Sequence, residues 1–179
     1  MKNKNIILII VGVVIVGAIL VLTNPFKKQQ SPFVPTNGST SSAQVADFEL
    51  ESFAGEKIKL SQFAGQPIFI DFWAAWCPFC IEEMTEIEKI HQEFPQLVIL
   101  GIHRSETEGV DVGTKFAKER GVKYPLLKDL TGEVYKTLTG GRQFMPYALF
   151  IDKAGQIVKV KAGPKTAEEM RQIVKELVP

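Results

Sequence analysis

The sequence predicts one α/β domain, a mixed β-sheet with helices on both faces, behind a single apolar segment long enough to meet a membrane. Three observations predict it. Two continuous apolar runs, 68–73 and 97–102, bracket an amphipathic stretch at 81–94, the pattern of buried parallel strands joined by a helical crossover. Nearer the end, apolar runs at 147–151 and 157–160 flank Asp152-Lys153-Ala154-Gly155-Gln156, which reads as an antiparallel hairpin with glycine in its turn. Residues 6–22 carry no charge at all.

The amino-terminal run comes first. Its seventeen residues follow Lys2 and Lys4 and would make a helix of roughly 26 Å, just short of a hydrocarbon core. Local thinning absorbs such a deficit. A cleaved signal peptide is the rival, but Thr23-Asn24-Pro25-Phe26 has no small-x-small site, and no cysteine follows for lipid attachment. The expectation is a tail at 1–5, an uncleaved anchor at 6–22 and a tether at 23–45, rich in Pro, Gly, Ser and Thr. A folded domain follows at 46–179. Lysines flank both ends of the span, with a slim bias that leaves the amino terminus in the cytoplasm and the domain outside.

Within the domain, residues 48–50 and 58–60 alternate around Ala54-Gly55-Glu56 and predict a small hairpin. Met84, Ile87, Ile90 and Phe94 repeat at helical spacing before Pro95 ends the crossover helix. Val112, Phe116 and Ala117 mark a second helix closed by Gly121, and residues 124–127 a short strand. Residues 133–138 predict one or two helical turns. Thr166 and Glu169 form a capping box ahead of Met170, Ile173, Val174 and Leu177, the last helix.

Composition removes several function classes. Of 179 residues 45% are hydrophobic and 23% charged, and the formal net charge is +1, so the chain is globular and has no electrostatic reason to bind nucleic acid. Two cysteines are too few for a disulfide-stapled scaffold.

Those two cysteines carry the chemistry. Cys77 and Cys80 stand two apart, between the strand at 68–73 and the helix that follows. A zinc site would need His91 and His103, whose spacing does not fit the usual ligand pattern. A structural disulfide across so short a loop constrains the unfolded chain little, and two inert buried cysteines are the third bland reading. Redox catalysis has a physical logic. If Pro78 opens the helix, Cys77 lies among unpaired N–H groups at the positive end of the dipole, which favour its thiolate. Cys80, deeper in the helix, is placed to resolve a mixed disulfide formed at Cys77.

The segment Asp71-Phe72-Trp73-Ala74-Ala75-Trp76-Cys77-Pro78-Phe79-Cys80 closely resembles the thioredoxin active site. The leading hairpin, the helix and strand inserted between about 110 and 127, and the anchor resemble the TlpA/ResA/DsbE branch of membrane-tethered extracytoplasmic thiol–disulfide oxidoreductases. That resemblance implies a thioredoxin fold with no metal and no organic cofactor. It also implies protein thiols or disulfides as substrates, and a membrane redox partner that supplies or takes electrons. Carried over by position, Met145-Pro146 matches the cis-proline loop that faces the disulfide and binds substrate backbone. Asp71 matches the buried aspartate behind the cysteines, and Glu83 a glutamate of the ResA-like branch. Either acid could take the Cys80 proton.

Asp71 also interrupts an apolar strand, which is costly unless the carboxyl is protonated or hydrogen-bonded. For Glu83 the bland alternative is a solvated helix face shared with Glu82, Glu86 and Glu88. Trp76, Pro78, Phe79, Met145 and Pro146 make up the expected docking surface, with Trp76 alternatively in the core. The loop His103-Arg104-Ser105-Glu106 reads as solvated. The pattern departs from the family at Thr85, where a helix proline is common, and at Met145 and Tyr147 around the proline.

The resemblance favours a reductase, as in cytochrome c maturation, over a disulfide-forming oxidant of the same fold. A peroxiredoxin-like peroxidase is disfavoured by Ala74, where that class has Thr. A Sco-like copper-binding protein is disfavoured by its wider cysteine spacing.

Overall fold

The structure, a computed structural model, describes residues 43–178. The expected tail, the anchor at 6–22 and the tether as far as residue 42 lie outside them. Among the described residues no helix is long and apolar enough to cross a membrane.

Among the described residues eight strands form one sheet: β1 (Ala43–Gln44), β2 (Glu49–Ser52), β3 (Lys57–Lys59), β4 (Ile68–Trp73), β5 (Val98–His103), β6 (Leu126–Lys128), β7 (Tyr147–Ile151) and β8 (Gln156–Ala162). Four α-helices among the described residues join them: α1 (Pro78–Glu93), α2 (Val110–Arg120), α3 (Glu133–Thr139) and α4 (Ala167–Leu177). The spatial order is β1-β8-β7-β4-β5-β6-β2-β3. β4, β5 and β6 run parallel, while β7 lies antiparallel beside β4 and β8 antiparallel beside β7, so the sheet is mixed as predicted. The β2–β3 hairpin completes one edge by pairing with β6. At the other edge β1, two residues that the sequence reading gave to the tether, pairs with β8.

Alternation along the central strands builds two cores. On one face, Phe69 and Trp73 of β4, Ile99 of β5 and Phe150 of β7 pack against Met84, Ile87 and Ile90 of α1 and Met170, Val174 and Leu177 of α4. On the other, Ile70, Phe72, Leu100, Ile102 and Leu149 meet Tyr135 and Leu138 of α3. Each fully buried side chain of this size contributes about 1.5–3 kcal/mol.

The helix ends follow their sequence signals. Cys77 caps α1 with extended backbone and Pro78 takes the first helical position. Thr166 and Glu169 form the capping box of α4. Gly121 closes α2 at φ 64°, a left-handed conformation that glycine adopts without steric cost. Two details differ. Val112 points outward from α2, whose buried positions are Gly113 and Ala117. The strand expected at 124–127 begins at Leu126, and Tyr124 precedes it as a buried anchor.

Candidate active site

Strand β4 ends at Trp73, and the chain turns through Ala74-Ala75-Trp76 into α1, which places the cysteines at the carboxyl end of a central strand. Cys77 and Cys80 form a disulfide with Cα atoms 5.3 Å apart. The backbone N–H of Cys80 donates to Cys77 Sγ at 3.2 Å, so the helix terminus points a donor at the first sulfur. Cys77 keeps 2% of its surface exposed and Cys80 none. Cys80 is thus the deeper of the two, although Cys77 is itself nearly closed off.

Trp76 and Phe79, both half-exposed, flank the pair, so Trp76 belongs to the surface and not to the core. Pro78 is also exposed. The Met145–Pro146 bond is cis. Met145 packs partly buried against the cluster that holds both cysteines, and the neighbouring Phe144 is exposed. The Tyr135 hydroxyl donates to the Phe144 carbonyl at 2.5 Å and anchors this loop to α3. The Arg104 guanidinium lies 3.9 Å over the Tyr135 ring.

Asp71 is fully buried on the face of β4 that carries Phe69 and Trp73, the face covered by α1. Its neighbours across the sheet are Gly101 and Ala148, small residues that leave room for a carboxylate. Glu83, one turn beyond Cys80, is buried too, which overturns the solvated-face alternative. The two acids share a partner absent from the sequence expectations. Lys165 Nζ donates to Asp71 Oδ1 at 2.9 Å and to Glu83 Oε2, and the Lys165 backbone N–H donates to Glu83 Oε1 at 2.7 Å.

The ionisation of this triad follows from its charges. Burial pushes the Asp71 carboxyl above its ordinary value, opposed by the Lys165 ammonium. Burial and, secondarily, the Asp71 charge raise Glu83 to about 7 against the same ammonium. Burial pulls Lys165 down, but the two carboxylates outweigh it and leave the ammonium more firmly protonated than usual. One cation compensates one carboxylate, so ionising the second leaves uncompensated charge in a dry site. The arrangement suits acid–base exchange near neutral pH.

A second set of contacts corrects the solvated-loop expectation for 103–106. His103 is fully buried at the end of β5, its ring 4.5 Å from that of Trp73, and Arg104 is nearly buried. His103 Nε2 lies 2.6 Å from Glu108 Oε1, and the same oxygen accepts from the Ala75 N–H at 2.5 Å. The Trp76 indole donates to Thr107 Oγ1 at 2.9 Å. The loop after β5 therefore grips the two residues ahead of Cys77. Burial lowers the His103 pKa despite the Glu108 bond, so the imidazole is neutral at pH 7.

The chain as a whole is similar to known proteins. The profile of the AhpC/TSA family covers residues 42–160, and the chain belongs to that family of thioredoxin-like proteins. Thiol-disulfide oxidoreductase ResA of Halalkalibacterium halodurans (strain C-125) is 31% identical over 137 residues, 74% of this chain and 76% of the relative. ResA of Bacillus thuringiensis subsp. konkukian is 26% identical over 181 residues, 99% of both chains. The exposed lipoprotein thioredoxin Etrx1 of Streptococcus pneumoniae strain TIGR4 superposes with a TM-score of 0.62 at 31% identity, covering 74% of this chain and 100% of that one. The protein is a thiol–disulfide oxidoreductase of ResA/DsbE type, an enzyme whose class implies protein thiol substrates.

Proposed function

We propose that this oxidoreductase is a membrane-tethered reductase of protein disulfides outside the cytoplasm, of the kind that keeps haem-attachment cysteines reduced in cytochrome c maturation. A membrane redox partner supplies its electrons. Cys77 thiolate attacks the substrate disulfide, and Cys80 resolves the mixed disulfide, leaving Cys77–Cys80 oxidised and two substrate thiols. Asp71 and Glu83 serve as the acid–base pair, and Trp76, Phe79, Phe144 and Met145 form the apolar rim that receives the substrate.

One observation carries the direction. The ionisable groups behind the cysteines are two acids and one lysine, with no surplus positive charge. A strong oxidant stabilises its reduced form, through a strongly favoured thiolate. With one lysine shared between two buried carboxyls, the site offers a thiolate no net positive charge, which favours the disulfide, the state a reductase ends in. For the tether, support comes from residues 6–22 and from an alignment with the Bacillus thuringiensis ResA that runs through them.

Equilibration with dithiothreitol or glutathione tests the direction. Potentials in this fold span about −270 to −120 mV, and a reductase falls towards the lower end. A value near −130 mV would make the protein an oxidant. Peroxide turnover by the purified protein would revive the peroxidase reading that Ala74 disfavours.

A further inference from the structure

The substrate rim is built from two loops far apart in sequence, and one residue joins them. Trp76 stands on the loop ahead of the cysteines and Phe144 on the loop ahead of the cis-proline, each about half exposed. The Trp76 indole donates to Thr107 Oγ1 at 2.9 Å, and the Thr107 hydroxyl donates in turn to the Arg104 carbonyl at 2.8 Å. The Arg104 N–H donates to Trp73 O at 3.0 Å, so this residue carries the β4–β5 pairing one step past the end of both strands. Its side chain reaches α3. The guanidinium lies 3.9 Å from the centre of the Tyr135 ring, and the Tyr135 hydroxyl holds the Phe144 carbonyl at 2.5 Å. Glu106 Oε1 accepts from Arg104 Nε at 2.6 Å and fixes the guanidinium in place. The same glutamate lies against Gly132, where a Cβ would come within 2.9 Å of Glu106 Cγ, so the pair is wedged against the entrance to α3.

We propose that Arg104 is a positioning residue that sets the spacing of the two halves of the docking rim, and with it the preference for a protein disulfide over a small one. Its carbonyl serves the Trp76 half and its guanidinium the Phe144 half. The inference rests on the reading of Trp76 and Phe144 as the surface that receives substrate, and it holds for electron flow in either direction. The physical reason is preorganisation. A partner that lands on two aromatic rings needs both in place, and any freedom left in the two loops is lost on binding. Arginine suits the task better than lysine, because its flat guanidinium stacks on the Tyr135 ring while its N–H groups point in plane at the Glu106 carboxylate. With only 9% of its surface exposed, Arg104 is closed to the substrate and acts through its neighbours. The chain of contacts ends at Trp76 and Phe144 and includes neither sulfur, so its effect falls on docking and not on the exchange at Cys77.

The test uses the reduced full chain in single turnover, with insulin as the protein disulfide and oxidised glutathione as the small one, read by stopped-flow tryptophan fluorescence. A chain that proves oxidising is assayed in reverse, oxidised and against reduced insulin, with the same expectations. Arg104→Met keeps most of the side-chain length and removes the stacked charge. It should raise the half-saturating insulin concentration about threefold to tenfold and leave the limiting rate within about twofold, with a smaller effect on glutathione. Arg104→Lys should recover part of the insulin affinity, since an ammonium keeps the charge and loses the stacking. Thr107→Val and Tyr135→Phe each cut one arm, and together they should raise half-saturation by clearly less than the product of the single effects. Equal losses with insulin and glutathione, or an Arg104→Met protein that overlays wild type, overturn the inference. Should Arg104→Met fail to fold, the Thr107 and Tyr135 cycle decides, and fully multiplicative effects would mean that the two halves are held independently. If Trp76→Ala and Phe144→Ala leave insulin half-saturation unchanged, the rim reading fails instead, so the two failures are distinct.

Discussion

Glu108 and His103 meet at 2.6 Å beneath the active-site loop, and the same Glu108 oxygen receives the Ala75 N–H. One carboxylate thus ties the end of β5 to the residue before Trp76. Glu108→Ala leaves a buried imidazole and a backbone N–H without their acceptor, a loss of about 1–3 kcal/mol for each. Chemical denaturation should show it, with turnover reduced but not abolished because neither cysteine is touched. An unchanged midpoint would mean that the loop is held by other contacts.

Gly113 offers a way to disturb the same network from α2. A Cβ there would lie 2.6 Å from two atoms of the His103 ring, which is enclosed by Trp73 and Phe53. Alanine is ordinarily the better helix former by up to about 1 kcal/mol, but overpacking costs about 1–3 kcal/mol. Gly113→Ala should therefore destabilise the fold on balance, and a stabilised variant would show that the ring has room to move.

Stability should depend on pH through Glu83, whose carboxyl is raised to about 7. Between its unfolded value, about 4.3, and 7 the native state holds a proton that the unfolded chain has released. Its contribution is full below that window and is lost as pH rises through 7, by a few kcal/mol at most. Asp71, also raised, has the same sign. His103, lowered by burial, has the opposite one: its contribution is lost as pH falls below about 6.5. Urea unfolding of wild type and Glu83→Gln at pH 5 and 8 isolates the first effect. The wild type should lose more than the variant between the two, and parallel losses would contradict a raised Glu83.

The exposed aromatic rim gives a kinetic prediction. Trp76, next to the nearly buried Cys77, and Phe144, next to Met145, are each about half exposed, at 51% and 54%. Trp76→Ala and Phe144→Ala should raise KM for a protein disulfide several-fold, with a smaller effect on reaction with glutathione, which needs little docking area. Equal effects on both substrates would assign the rings to positioning Cys77.

Much of this was legible in the chain. The two apolar runs, the cysteine spacing and Pro78 place the redox pair at a strand–helix junction without coordinates, and the capping box marks the last helix. Asp71 announced itself as a charge in an apolar strand. Lys165 gave no such signal: it sits in a polar turn 94 residues from Asp71, and only the return of β8 past the cis-proline brings it there. His103 and Glu108 were hidden for a related reason. A run of charged residues reads as solvated, and burial of His103 depends on α2 and the hairpin closing over the strand end, while Arg104 packs over Tyr135 of α3.

Trapping the mixed disulfide tests the central claim most directly. Full-length Cys80→Ala, reduced and mixed with a disulfide-containing protein substrate, should accumulate a covalent adduct at Cys77 that dithiothreitol releases and peptide mass spectrometry locates. Cys77→Ala should form none. An adduct on Cys80 in the Cys77→Ala protein, or none in either variant, would contradict the assignment of Cys77 as the attacking thiolate.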